Sequence, residues 1–148
     1  MNERKVLSEN AVNDLVSQSL VKAGFKVLTR VRLNPAELDI VLFDPRTLEL
    51  TNIEIKKNRW ERLFQQALRG KLYCHYSVVM VPIWSKEKID LTSFIHEGIG
   101  IIFYEELSPT EVKLHYEAAP IRSTQLNRNL KKMLYQEISS KHAHTIYA

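Results

Sequence analysis

Residues 37–56 read ELDIVLFDPRTLELTNIEIK, and their pattern predicts two consecutive strands joined by a turn. The run 37–43 is almost continuously apolar, which is typical of a strand covered on both faces. Asp44 and Pro45 favour a turn, because Asp accepts local backbone hydrogen bonds and Pro fixes φ. The chain then returns in a second strand at 48–56. Because Pro45 cannot adopt the positive φ of a two-residue hairpin turn, the stretch predicts a β-hairpin with a longer loop.

Three ionisable side chains converge in this hairpin. A turn that pairs Asp44 with Thr47 fixes the register and makes Asp39 a diagonal neighbour of Glu54 on one face. Strand alternation places Lys56 on the same face. Burying two carboxylates side by side would be costly through desolvation and like-charge repulsion. We therefore expect a cation between them, and hard oxygen ligands suit Mg²⁺.

Periodicity along the rest of the chain predicts an α/β order of elements. The predicted elements are a helix at 9–23 with its N-cap at Ser8, strands at 25–33, 76–83, 99–104 and 111–116, a helix capped by Asn58 with Glu61 in a capping box, a short helix at 89–97 and a helix at 126–138. The fold class is a helix, three strands, a helix and a strand, with a central mixed sheet flanked by helices. Residues 1–120 would form this core, and 121–148 a helical appendage and tail of the same domain.

Composition excludes several classes of protein. The 148 residues are 45% hydrophobic and 26% charged, which predicts one globular domain and not a disordered chain. The single cysteine, Cys74, excludes an internal disulfide and a multi-cysteine metal cluster, and its apolar surroundings predict a buried structural thiol. No apolar run approaches the ~18 residues that span a bilayer, and no signal-peptide core follows the N-terminus. We expect a cytoplasmic protein without a membrane partner.

Charge is distributed unevenly along the chain. Residues 1–72 carry 13 basic and 9 acidic side chains, residues 73–120 carry 3 and 7, and residues 121–148 carry 5 and 1, which gives +4, −4 and +4. Two basic segments could bind a polyanion such as DNA, because Lys and Arg release condensed counterions from phosphates. A solvated surface is the alternative interpretation.

The spacing of the ionisable residues points to a family. Asp39, followed by Glu54, Ile55 and Lys56 in this order of elements, resembles the motif of the PD-(D/E)XK nuclease superfamily, which includes restriction endonucleases and archaeal Holliday-junction resolvases. The resemblance covers roughly residues 8–83. It departs from the motif directly before Asp39, where a leucine replaces the proline.

This resemblance implies a restriction-endonuclease-like core and a metal-dependent deoxyribonuclease that hydrolyses phosphodiester bonds. Asp39, Glu54 and Ile55 would hold Mg²⁺, with Mn²⁺ as a substitute. Lys56 would polarise the attacking water or steady the developing charge. Glu9 would reach the same site from the first helix, although an acid favoured by the helix dipole is the alternative.

The second helix carries further candidates. Gln66 and Tyr73 resemble the glutamine-tyrosine element that follows the core motif in several branches of the superfamily, although they could simply form a polar helix face. The side chains expected to contact DNA phosphates are Tyr73 and four basic residues, Lys57, Arg59, Arg62 and Arg69, for which plain surface charge is the alternative.

Four other side chains are assigned no chemistry. Trp60 and Trp84 are expected to pack and not to stack on bases. His142 and His144 are expected to belong to a frayed tail, because that segment offers no further metal ligand.

Two expectations concern function and assembly. The alternative function is a non-catalytic nucleic-acid- or protein-binding module on the same fold, which an intact set of Asp39, Glu54 and Lys56 disfavours. A homodimer is expected, because one small site cuts one strand at a time and a duplex needs a second site related by symmetry. The apolar stripe of the C-terminal helix must be covered by its own sheet or by a second subunit, and comprises Leu126, Leu130, Met133, Leu134 and Ile138.

Overall fold

The computed structural model describes residues 7–33 and 36–142. Its elements are, in chain order, α1 (Glu9–Lys22), β1 (Lys26–Leu33), β2 (Ala36–Asp44), β3 (Glu49–Ile55), α2 (Trp60–Tyr73), β4 (Tyr76–Pro82), a 3-10 turn (Ile83–Ser85), α3 (Thr92–His96), β5 (Gly100–Ser108), β6 (Glu111–Ala118) and α4 (Arg128–His142).

Six strands form one sheet in the order β1-β2-β3-β4-β5-β6. The β3–β4 and β4–β5 pairs are parallel, whereas the outer pairs are antiparallel. Parallel neighbours need a crossover connection, which α2 supplies between β3 and β4. The predicted fold class is confirmed: a mixed sheet flanked by helices, followed by a C-terminal helix.

Helices pack on both faces of the sheet. α1 packs on one face through Val12 and Val16, and α2 packs on the other through Leu63 and Ala67. Cys74 has no exposed surface, as predicted for a structural thiol. None of the helices in the described part of the chain is long and apolar enough to span a bilayer.

The hairpin register differs from the predicted one by two residues. Asp44 pairs with Glu49 instead of Thr47, because the loop spans residues 45–48. Leu48 closes this loop with a φ of 63° and donates its N–H to the Asp44 carbonyl at 2.7 Å. A shift by an even number of residues keeps every side chain on its predicted face. The two site carboxylates therefore still share one face of the sheet.

The start of α2 also differs from the prediction. Its N-cap is Arg59, which has a left-handed φ of 57° and makes no side-chain capping bond. The predicted capping box of Asn58 and Glu61 is therefore wrong. At the first helix the prediction is confirmed, since Ser8 Oγ accepts the Ala11 N–H at 3.0 Å. α3 is shorter than predicted.

The apolar stripe of α4 is covered by the chain's own core. Leu134 and Ile138 are buried against residues of β1, β2 and the end of α2, and Leu130 packs beside them. Met133 is 41% exposed. The stripe is therefore not available as the predicted dimer interface, and coverage by the chain itself is the correct alternative. The homodimer itself stays a prediction, and its interface would have to lie on another surface.

His75 links β3 to β4 where their parallel pairing begins. It is 5% exposed, and its Nδ1 accepts the Leu50 N–H at 2.9 Å, which requires a neutral ring with Nδ1 unprotonated. Burial, reinforced by the nearby charges of Arg122 and Lys131, lowers the pKa of His75. If Nδ1 of His75 were protonated, it would become a donor that faces the Leu50 N–H, and two buried donors would oppose each other without an acceptor.

Acid should therefore destabilise the protein through His75. In the unfolded chain His75 binds a proton below about pH 6.5, whereas in the folded protein it does so only at lower pH. As the pH is lowered between these two pKa values, the free energy of unfolding therefore falls by up to ~1.4 kcal/mol per pH unit. His75→Asn, whose Oδ1 can accept the same N–H, should flatten this fall in urea unfolding measured between about pH 7 and pH 5. His96→Asn, at an exposed position, is the matched control. An unchanged fall in His75→Asn would contradict the prediction.

Candidate metal centre

β2 and β3 separate where Asp39 lies. Their pairing runs as far as Ile40 and Ile53. Just beyond, Oδ2 of Asp39 accepts the Ile55 N–H at 2.9 Å, so a side chain satisfies this strand amide. Asn13 of α1 donates its Nδ2 to the Asp39 carbonyl at 3.1 Å, which fixes the backbone. The Asp39 carboxylate is thereby held at the carboxyl end of β3.

β1 bends opposite Asp39. Arg30 has a φ of 51°, although the pairs on either side of it keep their register with β2. A non-glycine residue in this conformation costs ~1–2 kcal/mol. The guanidinium of Arg30 is held on α1 by Asp14 at 3.1 Å and by Asn10. The bend is therefore supported by the helix that covers this part of the sheet.

Glu54 is fully buried beside Asp39. Its exposed fraction is 0%, and neither carboxylate oxygen has a hydrogen-bond partner among the described residues. Asp39 lies close enough for the two carboxyls to share a proton, and they repel when both are ionised.

The electrostatics of the pair follow from this burial. Desolvation, and then the negative charge of Asp39, raise the pKa of Glu54 to about 9. Desolvation also raises the pKa of Asp39, although the Ile55 N–H, Glu54 and Lys56 oppose the shift. At neutral pH and without a metal, the pair therefore keeps a proton on Glu54.

The pair fits a hard divalent cation. Its donors are carboxylate oxygens, two of them buried and unpartnered, and Mg²⁺ is often held by one or two carboxylates plus waters and substrate phosphates. No group of three or more His, Cys, Asp or Glu side chains within residues 7–33 and 36–142 is placed to hold a metal ion. Asp39 and Glu54 could supply two ligands for such an ion. The side chain of Ile55 is buried among apolar residues, so only its main-chain carbonyl could act as the third ligand that the sequence led us to expect.

Lys56 and Glu9 stand at the rim of this site. Lys56 extends β3 by donating its N–H to the Met80 carbonyl at 3.2 Å, and its Nζ lies 3.9 Å from Oε1 of Glu9. Oε2 of Glu9 accepts the Lys57 N–H at 3.0 Å. The structure thus brings Glu9 and Lys56 beside the carboxylate pair, and Glu9 is near enough to raise the pKa of Asp39 slightly.

α2 lies directly on β3 beside the site. A Cβ on Gly70 would lie 2.1 Å from Nδ2 of Asn52, so only glycine allows this approach. Asn52 has no exposed surface and donates Nδ2 to Ser77 Oγ at 3.3 Å, while Ser77 donates to the Ala67 carbonyl at 2.7 Å. These bonds leave Asn52 Oδ1 without a partner among the described residues.

Gln66 lies one turn before Gly70 on α2. From Gly70 back to Gln66 the helix rises ~6 Å, and from Asn52 on to Glu54 the strand rises ~6.6 Å. Because Gly70 lies against Asn52, Gln66 lies at about the same height along the sheet as Glu54. Oε1 of Gln66 is buried and has no hydrogen-bond partner in the described part of the chain. Sequence reasoning found Gln66 and missed Asn52, whose signal was a polar residue within an apolar strand.

The predicted DNA contacts have different positions. Arg59, Arg62 and Arg69 are exposed, and none of them forms an ion pair with another described residue. Lys57 is half-buried. Tyr73 is only 5% exposed and packs in the core beneath α4, so its predicted place on the polar face is wrong. The prediction for Tyr73 failed because α4, which is distant in sequence, packs over the end of α2 and buries this side chain.

The expectation for the two tail histidines falls partly outside the described residues. His142 ends α4, and His144 lies outside the described residues.

Comparisons with known proteins concern the fold alone. No family model matches the sequence, and no curated protein matches it. The structure is similar to that of the SPO1766 protein of unknown function from Silicibacter pomeroyi, at 16% identity and a TM-score of 0.63, over 96% of this chain and 90% of that one. A repair endonuclease from Pyrococcus abyssi aligns at 16% identity with a TM-score of 0.49, over 70% of this chain and half of the endonuclease. At that score the second similarity carries no argument about activity.

Without metal, Glu54 should destabilise the protein in alkaline solution. The unfolded chain loses the proton above about pH 4.5 and the folded protein keeps it to about pH 9, so the free energy of unfolding falls across this range. In EDTA, Glu54→Gln should therefore melt at a higher temperature than wild type at about pH 8, with the gap closing toward about pH 5. Differential scanning calorimetry checks this, with the exposed Glu87→Gln as control. A lower melting temperature for Glu54→Gln at the higher pH would contradict the raised pKa of this buried carboxyl.

Proposed function

We propose that this chain is a metal-dependent deoxyribonuclease that hydrolyses phosphodiester bonds. The observation that carries the proposal is the complete burial of the Glu54 carboxylate beside that of Asp39, with a pKa raised to about 9. Packing alone would favour apolar side chains in this place, so a buried carboxylate pair is typical of a functional site. Lys56 at the rim completes a set that resembles the PD-(D/E)XK motif in chemistry and in order along the chain.

Asp39 and Glu54 would hold Mg²⁺, or Mn²⁺ in its place, with the Ile55 carbonyl. The bound ion would supply Lewis acidity and a water of lowered pKa. Glu54 must release its proton to act as a ligand, so metal binding is expected to weaken as the pH falls. Asp39 is held in position by the Ile55 amide before any ligand arrives.

Lys56 would act on the phosphate and on the attacking water. Its side chain is 21% exposed, and its ammonium group has Glu9 as its only ion-pair partner in the described part of the chain, at 3.9 Å. Such a long, partly exposed pair is weak, so the ammonium can turn toward a phosphate oxygen. A charge held there would stabilise the pentavalent transition state. Glu9 would serve as a positioning residue for this lysine.

The carboxylate variants test the proposal directly. Asp39→Asn and Glu54→Gln should each lower cleavage of plasmid, single-stranded and branched DNA in Mg²⁺ or Mn²⁺ by at least about 100-fold, because a ligand is lost. Lys56→Met should lose a similar factor in rate while its calorimetric Mn²⁺ affinity stays near that of wild type. The exposed Glu87→Gln is the control, and EDTA should stop cleavage in every protein.

Wild-type cleavage by either carboxylate variant would remove the assignment. DNA binding by the wild type without cleavage in either metal would favour the alternative, a binding module on the same fold.

The exposed arginines should contact phosphates without reading sequence. Arg62→Gln with Arg69→Gln should weaken binding to duplexes of different sequence by similar factors, and should reduce the slope of log K against log salt by about 2. Lys22→Gln with Lys113→Gln removes the same charge from exposed positions on other elements and serves as the matched control. Fluorescence anisotropy over a salt series measures both slopes. Equal slopes for the two double variants would place the DNA elsewhere.

A further inference from the structure

A cleft of about 860 Å³ opens between the start of α2 and the segment that contains α3. We name it the α2–α3 cleft. Its volume lies within the ~300–1,000 Å³ of small-molecule sites. The residues that matter for its chemistry are Trp60, Phe64, Glu61, Arg62, Lys88 and Asp90.

The cleft lies at the same edge of the sheet as the candidate metal centre. Trp60 follows Lys56 by four residues, which limits their separation to ~14 Å of chain. Lys88 and Asp90 lie in the connection that follows the carboxyl end of β4. Both walls therefore rise from the edge of the sheet at which Glu54 and Lys56 end β3.

The lining of the cleft suits a nucleobase better than a phosphate. Arg62 and Lys88 bring two positive charges, while Glu61 and Asp90 bring two negative charges that would repel a phosphate. Trp60 and Phe64 offer half-buried aromatic rings. Aromatic faces stack on any base, and carboxylates accept hydrogen bonds from exocyclic amino groups.

Trp60 combines packing with access to this space. It packs against the apolar cluster under α2, as the sequence led us to expect, and it also lines the cleft. Trp84 does not line the cleft; it is 37% exposed, and Nζ of Lys88 lies 5.5 Å from its ring centroid. The two tryptophans therefore form a natural pair of test and control.

We propose that the α2–α3 cleft binds one or more unpaired bases of a DNA strand whose backbone passes the candidate metal centre. This inference rests on the proposed function and narrows its substrate to DNA with a single-stranded segment. A base in a continuous duplex is stacked on its neighbours and cannot present its face to Trp60. An unpaired base can enter the cleft while its phosphates stay at Lys56 and the exposed arginines.

The test reads stacking directly and without cleavage. Trp84→Phe leaves Trp60 as the only tryptophan. In EDTA, a thymidine pentanucleotide should quench Trp60 emission, whereas a blunt hairpin duplex with the same number of phosphates should not. In Trp60→Leu, where only Trp84 emits, the pentanucleotide should leave the emission unchanged.

Affinity gives a second readout. Trp60→Leu, which keeps an apolar side chain in the packing position, should weaken binding of a labelled pentanucleotide by about 5- to 150-fold, and Trp84→Leu should not change it. Quenching by the duplex equal to that by the pentanucleotide, or unchanged affinity in Trp60→Leu with a wild-type melting temperature, would overturn the inference. Both readouts are taken in EDTA and therefore do not depend on cleavage. Stacking by a protein that cleaves no DNA in the metal assay would reject the proposed nuclease activity. Cleavage by a protein that shows no stacking would reject the cleft as a binding site for bases.

Discussion

The structure depends on the cost of an ionised Glu54 in a fully buried position. A proton or a cation must neutralise this carboxylate, because its desolvation outweighs the opposing effects of the Asp39 backbone and of Lys56. The two carboxyls of the pair are not equivalent. Asp39 is half-buried and accepts the Ile55 N–H, whereas Glu54 is fully buried and its pKa is raised to about 9, so the shared proton resides on Glu54. In the proposed function, this asymmetry would prepare one carboxylate and keep the other as an acid until a cation took the proton's place.

Two helices hold the strands in the arrangement that this pair requires. On one side, α1 fixes Asp39 through Asn13 and supports the bend at Arg30. On the other side, α2 approaches β3 until Gly70 contacts Asn52 and excludes water from the face that carries Glu54. The strained bend and the close approach both cost stability, and the apolar packing on the two faces of the sheet offsets that cost.

Local patterns predicted the face of each carboxylate, because side-chain alternation survives a register shift of two residues. They predicted a loop longer than two residues, which the loop at 45–48 confirms, but not its exact length, since Leu48 adopts a left-handed conformation that its residue type does not favour. The same holds for Arg59 at the start of α2. Tyr73 was misplaced because α4, more than fifty residues later in the chain, covers it. Asn52 was missed because its importance comes from Gly70, a contact that no short-range pattern contains.

α2 joins the three parts of the proposed function. One face of the helix closes over the carboxylate pair, its exposed face presents Arg62 and Arg69, and its first turn contributes Trp60 to the cleft. The two arginines are seven residues apart, which is ~10.5 Å along the helix and nearly two full turns, so both lie on the same face of α2. A strand that follows α2 toward its first turn would pass both arginines before it reaches Lys56 and the cleft. In the proposed function, the helix would therefore set the direction in which the backbone approaches the candidate metal centre, and the cleft would receive the bases at the end of that path.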